Sequence, residues 1–208
     1  MNTRTPILLV GAGGHARACL DVIECEGLYT VFGLIGMTSE VGNRVLNSKV
    51  IGDDNDLLKF QPNCPKALVV IGQIKNWMLR FYIFQKLIEF GYQLPVIVSP
   101  RAYVSPHAKI GNGTIIMHGA IVNAGVQIGD NCIINNQSLI EHDVVIESHC
   151  HISTGAIVNG GALIGEGSFI GSRSVLKENI QVGKRSLIGM GLAVRHNLSD
   201  ETFLSRNN

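Results

Sequence analysis

Residues 110–140 read IGNGTIIMHGAIVNAGVQIGDNCIINNQSLI, and an aliphatic residue recurs in them at every sixth position. The same interval extends in both directions, without an insertion, from Val98 to Val194. An α-helix has a period of 3.6 residues and an alternating strand a period of two, so neither explains the pattern. A β-helix built from hexapeptide repeats does have this period. We therefore predict a parallel β-helix for this part of the chain.

Each hexapeptide of such a β-helix supplies one short strand and one corner, so three successive hexapeptides complete one coil. The aliphatic side chains point inward and stack on their equivalents in the next coil, about 4.8 Å along the axis. Burial of each one contributes about 1.5–3 kcal/mol. The many glycines and small residues of this half allow the backbone to turn at the corners. The stacked aliphatic residues are expected to be the main stabilising feature of the β-helix.

The N-terminal half has a different pattern, in which short apolar runs alternate with segments of helical periodicity. The predicted strands are Pro6–Val10, Val31–Ile35 and Ala67–Ile71, with a further one at Pro95–Val98, and the predicted helices are Ala16–Glu26 and Trp77–Phe90. Strands that alternate with helices indicate a parallel α/β domain. We predict two domains, an α/β domain over residues 1–97 and a β-helix over residues 98–208.

Composition excludes several classes of function. The net charge of +1 over 208 residues argues against a nucleic-acid partner attracted by bulk charge. No run approaches 18 apolar residues, so no membrane span is expected. The five cysteines form no CxxC pair, and their odd number is typical of reduced thiols rather than a disulfide framework. These features favour a cytoplasmic protein.

A glycine-rich segment, Gly11-Ala12-Gly13-Gly14-His15-Ala16, lies between the first predicted strand and the first predicted helix. It fits the pattern G-x-G-x-x-G/A, which places phosphates at a helix N-terminus. A dinucleotide site also needs an acidic residue at the end of the second strand, but residues 34–37 there are LIGM. We therefore favour a nucleotide-sugar diphosphate over NAD, with a plain tight turn as the alternative. Lys75 and Arg80 are expected either to add phosphate charge or to lie solvated on a helix.

Three histidines, His142, His149 and His151, crowd the segment SLIEHDVVIESHCHIS at residues 138–153. On a coil of three hexapeptides, Gly160 stacks over His142, whereas His151 lies half a coil away. A three-histidine metal site within one subunit is therefore disfavoured, and no metal is expected. We predict that His149 is a surface residue without a role. No function is predicted for His107, His118 or His196.

The segments around these histidines resemble the core motif of one acetyltransferase family. The resemblance rests on Asn135, on IEHD at residues 140–143, on HISTG at 151–155 and on NGG at 159–161. That family comprises the N-acetyltransferases of nucleotide-linked 4-amino sugars (bacillosamine, perosamine and viosamine types) and the sialic acid O-acetyltransferases. The loop from Gly11 to His15 is similar to the family's small sugar-nucleotide-binding domain. The resemblance implies a left-handed β-helix that forms a homotrimer.

The resemblance also implies roles for individual residues. It makes His142 the general base, Asp143 its polarising partner, and Asn135 a neighbour of the acceptor amine. His151 would hydrogen-bond acetyl-CoA, the co-substrate. The remaining implied contacts are Ser172 and Met190 in the pantetheine channel, and Gly11, Gly13, Gly14, His15 and Gly72 around the nucleotide. Acyl transfer from a thioester needs a base and hydrogen-bond donors for the oxyanion, and the N–H of Gly160 is our candidate donor.

These observations predict an N-acetyltransferase that moves acetyl from acetyl-CoA to a dTDP- or UDP-linked 4-amino-4,6-dideoxyhexose, for surface-glycan synthesis. Three alternatives stay open: an O-acetyltransferase of sialic acid or another sugar, a metal-dependent hydratase of the γ-carbonic anhydrase kind, and a non-catalytic nucleotide-sugar-binding protein. The chain departs from the family in lacking a Gly-x-Pro-Ala-Lys-like tail after the last coil. The structure that caps the β-helix is therefore not predicted.

Overall fold

A computed structural model describes residues 4–205 of the chain. The N-terminal part is a five-stranded sheet in the order β3-β4-β2-β1-β5, parallel except for β3, with helices beside it. Its elements are β1 Thr5–Val10, α1 Gly14–Glu26, β2 Tyr29–Ile35, a 3₁₀ turn Thr38–Glu40, β3 Arg44–Val45, β4 Ser48–Gly52, α2 Leu57–Phe60, β5 Ala67–Val69 and α3 Met78–Glu89.

The long elements of this part are those that the apolar pattern predicted, with ends that differ by one or two residues. Helix α1 ends where Gly27 adopts a left-handed φ of 75° and its N–H donates to the carbonyl of Ile23. The short elements β3, β4 and α2 were not predicted, because their few apolar residues show no clear period. Within residues 4–205, no helix is both long and apolar enough to cross a bilayer.

The remaining strands have two residues each and form three parallel sheets, the faces of a left-handed β-helix, as predicted. Strands directly above one another pair one coil apart, as Ile134 does with Ile152. The first face holds β6 Ile97–Val98, β9 Ile115–Ile116, β12 Ile133–Ile134, β15 His151–Ile152, β18 Phe169–Ile170, β21 Leu187–Ile188 and β23 Phe203–Leu204. The second holds β7 Tyr103–Val104, β10 Ile121–Val122, β13 Leu139–Ile140, β16 Ile157–Val158, β19 Val175–Leu176 and β22 Ala193–Val194. The third holds β8 Lys109–Ile110, β11 Gln127–Ile128, β14 Val145–Ile146, β17 Leu163–Ile164 and β20 Gln181–Val182.

The core of the β-helix is the predicted column of aliphatic residues. Every sixth residue from Ile116 to Val194 is buried in one cluster, and the earlier ones, Val98, Val104 and Ile110, pack against its open end. The corners have an equally regular backbone, since every sixth residue from Gly113 to Gly191 has a left-handed φ. Such a conformation favours glycine, asparagine and aspartate. The sequence therefore specifies both the interior and the turns of each coil.

The last coil is shorter than the others. Strand β23 pairs with β21 so that Phe203 lies beside Leu187, a smaller separation in sequence than one full coil. Residues up to 205 thus extend the first face and cover its last complete coil, while residues 206–208 lie outside the described part. At the other end, β6 pairs with β9 and spans the predicted boundary between residues 97 and 98. The position of that boundary stays a prediction. Residues 1–3, at the start of the predicted α/β domain, lie outside the described part of the chain.

Helix α3 packs along one corner column of the β-helix. A Cβ placed on Gly113 would lie 2.9 Å from Phe84 of α3, and one on Gly167 would lie 2.8 Å from Trp77, the residue before the helix. Trp77 and Phe84 are separated by about two helical turns, a rise of about 10.5 Å, whereas the two glycines lie three coils apart, about 14 Å. The large aromatic side chains reach across this difference, so α3 joins the N-terminal part to several coils of the β-helix.

Arg80, in the first turn of α3, is buried at this contact and is not a phosphate-binding or solvated residue as expected. Its Nη1 donates to the carbonyls of Val69 and Ile71 at 2.9 and 2.7 Å. Its Nη2 donates to the carbonyl of Asn131 at 3.1 Å and to its Oδ1 at 2.6 Å. Burial lowers the pKa of Arg80 to about 10, so the guanidinium stays charged near neutral pH. The buried positive charge of Arg80 is therefore stabilised by oxygen atoms from both the N-terminal part and the β-helix.

The prediction that His149 is a surface residue is wrong. His149 occupies a corner with φ 63°, and its ring packs edge-on against Phe81 and Phe84 of α3. Its Nδ1 lies 3.0 Å from the amide nitrogen of Asn131, one coil away. Its burial follows from α3 covering this corner, a contact between distant parts of the chain that the hexapeptide pattern does not contain.

Candidate active site

His142 and Asp143 form an exposed hydrogen-bonded pair at the corner that follows β13. Nδ1 of His142 lies 2.9 Å from Oδ2 of Asp143, and the two side chains are 68% and 71% exposed. Asp143 is the left-handed corner residue, with φ 59°, and its neighbour His142 therefore projects from the edge of the β-helix. When Nδ1 donates to the carboxylate, Nε2 is the nitrogen left to accept a proton.

Gly160 lies one coil above His142, as the hexapeptide register predicts. A Cβ on Gly160 would lie 2.7 Å from both Nε2 and Cε1 of the His142 ring. The carbonyl of His142 also accepts a hydrogen bond, at 3.0 Å, from the N–H of Gly161. Glycine at position 160 therefore leaves the space that the ring needs beside the backbone of the next coil.

Gly160→Ala is expected to lower acetyl transfer by about 10–100-fold with little change in thermal stability, because a shift of the ring by about 1 Å is enough for such a loss. The exposed ring of His142 can move away from the added methyl group, which spares the fold. Steady-state rates and a thermal unfolding curve of the same preparation measure the two effects.

The control for this prediction is the same change in a His142→Ala background. If the methyl group acts by displacing the ring, Gly160→Ala causes no additional loss when the ring is absent. An additional loss of similar size in that background would show that the methyl group acts elsewhere.

A second cluster lies on the first face, where the N-terminal part covers His151. Nδ1 of His151 is 2.6 Å from the carbonyl oxygen of Gln73, and Nε2 is 3.1 Å from the amide nitrogen of Asn135. A carbonyl can only accept, so Nδ1 carries the proton and Nε2 accepts from Asn135. Burial lowers the pKa of His151 to about 4, against the opposing effect of the Gln73 carbonyl. The pair of predicted site residues, Asn135 and His151, is thus held by a loop of the other domain.

His15 faces His151 across this junction, with ring centroids 6.3 Å apart. Burial, with a smaller effect of the Arg80 charge, lowers the pKa of His15 to about 3. Its Nε2 is buried and has no hydrogen-bond partner among residues 4–205. Gly72 is adjacent, since a Cβ there would lie 3.3 Å from that of His15. The sequence assigned His15 and His151 to separate ligands, whereas the structure places them together.

The buried histidines should make the protein sensitive to acid. His15 has a pKa lowered to about 3, and His149 and His151 have pKa values lowered to about 4, mainly by burial, whereas an unfolded histidine titrates near 6.5. The unfolded state therefore binds more protons than the folded state between these values, so the free energy of unfolding falls as pH falls through this window. From pH 7 to pH 5 we expect a loss on the order of 5 kcal/mol, measured by urea unfolding.

A matched pair of variants tests the origin of this loss. His149→Asn removes one of these three titrating groups and places at the left-handed corner a residue that tolerates it, so it should reduce the pH-dependent loss by about a third. His107→Asn, at an exposed position, should leave the loss unchanged. Equal pH dependence in the first variant and the parent would contradict the assignment.

The glycine-rich loop borders a cavity of about 540 Å³ at the carboxyl ends of the parallel strands. Gly11, with φ 127°, is pressed against Ile71 of the neighbouring loop, so a side chain would not fit there. Gly13 and Gly14 begin α1, and a Cβ at either one would meet no atom within 4 Å. Both glycines are exposed, so no side chain covers the start of α1, where a phosphate site would lie.

The cavity has acidic residues although residues 34–37, at the end of β2, contain none. Asp53 and Asp54 line the cavity together with Glu40. They follow β4, which pairs with β2, so they occupy the place that an acid at the end of β2 would have taken. The Thr38 hydroxyl donates to Asp53 at 2.7 Å and is the main cause of a lowered pKa of that carboxyl. Two aspartates after the apolar pair at 50–51 and Gly52 were the available signal in the sequence.

Ser172 and Met190 lie on one edge of the β-helix, one coil apart. The hydroxyl of Ser172 is 2.9 Å from that of Ser153, and Met190 is 72% exposed. Their predicted place in the pantetheine channel stays a prediction.

The chain is similar to known protein families in both of its parts. The PglD N-terminal domain matches residues 6–87, the bacterial transferase hexapeptide (six repeats) matches residues 107–142, and the hexapeptide repeat of succinyl-transferase matches residues 161–195. No curated protein matches this chain in sequence.

Solved structures are similar over nearly the whole chain. A histidine-to-asparagine variant of perosamine N-acetyltransferase from Caulobacter crescentus, in complex with CoA and GDP-perosamine, has a TM-score of 0.91 and 27% identity over 97% of this chain and 93% of its own. The acetyltransferase domain of PglB from Neisseria gonorrhoeae, in complex with acetyl coenzyme A, has a TM-score of 0.90 and 28% identity over 99% and 98%. WeeI from Acinetobacter baumannii, with 20% identity over 98% of both chains and a TM-score of 0.85, shows the shared fold alone.

Proposed function

We propose that this chain, which belongs to the hexapeptide-repeat acetyltransferases with a PglD-type N-terminal domain, transfers acetyl from acetyl-CoA to the amine of a nucleotide-linked 4-amino-4,6-dideoxyhexose. The observation that carries the proposal is the exposed His142–Asp143 pair beside Gly160. The relatives solved with CoA and GDP-perosamine, or with acetyl-CoA, support the choice of both substrates.

In the proposed reaction the sugar amine attacks the thioester carbonyl directly. Nε2 of His142 takes the proton that the amine loses, and the carboxylate of Asp143 stabilises the resulting imidazolium. The new C–N bond forms, the C–S bond breaks, and the proton passes to the departing CoA thiolate. The backbone N–H of Gly160 is the proposed donor to the carbonyl oxygen as its charge develops.

Acetyl-CoA is proposed to reach the junction of the two parts, where one ring nitrogen lacks a hydrogen-bond partner. That atom is the buried Nε2 of His15, unpaired within residues 4–205, and its ring faces that of His151, whose nitrogens contact Gln73 and Asn135. Asn135 lies on the other side of His151, where the acceptor amine is proposed to bind. Met190 and Ser172 would border the pantetheine arm.

The nucleotide is proposed to lie in the 540 Å³ cavity, with its phosphates at Gly13 and Gly14 and its ribose or base near Asp53. A cavity of this volume lies in the range usual for small-molecule sites. We expect dTDP or UDP, and the GDP sugar of the relatives adds a third nucleotide to be tested. Further parts of the proposal are a homotrimer, a cytoplasmic location and a role in O-antigen or lipopolysaccharide synthesis.

The deciding experiment measures thiol release from acetyl-CoA against 4-amino-4,6-dideoxyhexoses linked to dTDP, UDP and GDP. Release of one CoA per sugar, with an N-acetyl product by mass spectrometry, is the expected result. The matching 4-hydroxy sugars and sialic acid serve as controls, and acetylation of those alone would make the chain an O-acetyltransferase. Ligand binding without CoA release from any acceptor would make it a non-catalytic binding protein.

A further inference from the structure

Three side chains with metal-ligand chemistry meet where α1 approaches the β-helix. Asp21 and Cys25 are four residues apart on α1, so they share one face of the helix. His118 follows β9 in the β-helix. One ligand atom from each of the three residues lies within 4.8 Å of the other two. The group is separate from the proposed acetyl-transfer residues, and neither the repeat nor the family resemblance assigns it a role.

His118 is already oriented by hydrogen bonds on both ring nitrogens. Nε2 lies 2.8 Å from Oδ2 of Asp21, and Nδ1 lies 2.6 Å from the hydroxyl of Ser99. The same hydroxyl oxygen accepts a hydrogen bond from the N–H of Arg101 at 3.0 Å. It can also accept one from Nδ1–H of His118, and Nε2 is then unprotonated and able to coordinate a metal. A hydrogen-bonded second nitrogen of this kind is usual for histidines that bind metals.

The arrangement of Ser99, His118 and Asp21 also has the composition of a hydrolytic triad, but Ser99 cannot act as a nucleophile. Its side chain belongs to a residue that is only 1% exposed, so no substrate can reach the hydroxyl. Asp21 is 62% exposed and Cys25 is also exposed, whereas the other four cysteines of the chain are all buried. The open side of the group is therefore the side of the carboxylate and the thiol.

The chemistry of the three ligands selects the ion. An imidazole, a thiolate and a carboxylate suit zinc, whereas magnesium and calcium prefer oxygen ligands alone. Zinc–ligand distances of about 2.0–2.3 Å place tetrahedral ligands roughly 3.3–3.8 Å apart. The observed separations, from 2.8 Å to no more than 4.8 Å, bracket this range, so side-chain rotations of exposed residues are enough to close the site.

We propose that Asp21, Cys25 and His118 bind one Zn²⁺ ion, with a fourth position open to water or another small ligand. Because Asp21 and Cys25 belong to α1 and His118 to the β-helix, the ion would join the two parts of the chain on a side of the junction different from that of α3. Asp21 and His118 are 97 residues apart in sequence, which is why no motif indicated the group.

The test uses the full-length protein, stripped with a chelator and titrated with Zn²⁺ by calorimetry and with Co²⁺ by absorption spectroscopy. One Zn²⁺ per chain and a thiolate-to-cobalt charge-transfer band are expected. Cys25→Ser and His118→Asn should each weaken Zn²⁺ binding at least tenfold, and Cys25→Ser should also abolish the band. Zn²⁺ should slow the alkylation of the parent at Cys25, its exposed cysteine.

His107→Asn is the matched control, because it removes an exposed histidine of the β-helix outside the group. Unchanged affinity in this variant supports the site. The absence of the charge-transfer band, or equal Zn²⁺ affinity in the parent and Cys25→Ser, would overturn the proposal and leave Asp21 and His118 as an ion pair only. Zinc that is lost in His142→Ala but retained in Cys25→Ser would overturn it too, since the ion would then lie elsewhere.

Discussion

Replacement of His142 by alanine is expected to lower kcat/KM for acetyl transfer by about 10²–10⁴-fold, the contribution usual for a general base. The residue is 68% exposed and contacts its own corner through Asp143, so its removal should spare the fold and leave the molecular mass in solution unchanged. The rate of thiol release gives the first quantity, and circular dichroism and light scattering give the second.

Two further variants sharpen this result. Asp143→Asn retains the shape and the left-handed corner but removes the charge that stabilises the imidazolium, so we expect a smaller loss of roughly tenfold or more. His107→Ala, at an exposed position of the β-helix, should keep the parent's rate. Near-normal turnover in His142→Ala would exclude the residue as the base, and the proposed mechanism would fail with it.

Replacement of Arg80 by methionine is expected to lower the free energy of unfolding by about 3–5 kcal/mol, the largest effect on stability anticipated for one residue here. The methionine fills part of the space but leaves three buried carbonyls and the amide oxygen of Asn131 without the donors that now satisfy them. Urea unfolding at pH 7, with the α/β and β-helix signals followed by circular dichroism, measures the loss.

Arg17 provides the control, because it is an exposed arginine on α1 and its replacement by methionine should change stability by less than about 0.5 kcal/mol. The Arg80 variant also tests the coupling of the domains, since Arg80 donates to residues of both. A loss below about 1 kcal/mol in Arg80→Met would mean that water replaces the guanidinium and that the junction is not as dry as the burial of Arg80 indicates.

The sequence predicted the β-helix almost completely because its determinants are local. An inward aliphatic residue and a left-handed corner residue recur in each hexapeptide, so every coil has the same backbone and the same kind of interior. The stacking of Gly160 on His142 followed from that register alone. The acidic residues of the cavity beside the glycine-rich loop were missed for the opposite reason, since placing Asp53 beside β2 requires the strand order of the sheet.

The junction between the two parts could not be predicted from periodicity. Arg80 and Asn131 are 51 residues apart, and Gln73 and His151 are 78 apart, so neither pair leaves a spacing signal. Each of these residues also has an ordinary alternative: an arginine on a helix is usually solvated, and an asparagine at a left-handed corner needs no partner. Only the packing of α3 on the corner column gives them their roles.

The contacts of α3 with corners of different coils also limit how such proteins can change in length. A deletion or duplication of one whole coil preserves the interior of the β-helix wherever it occurs. Between Gly113 and Gly167, however, it would shift every later corner by one coil, about 4.8 Å, relative to α3 and separate Trp77 or Phe84 from the glycine that accommodates it. Growth and shrinkage by complete coils are therefore compatible with this architecture beyond Gly167, which makes the C-terminal end the place where related chains can differ in coil number.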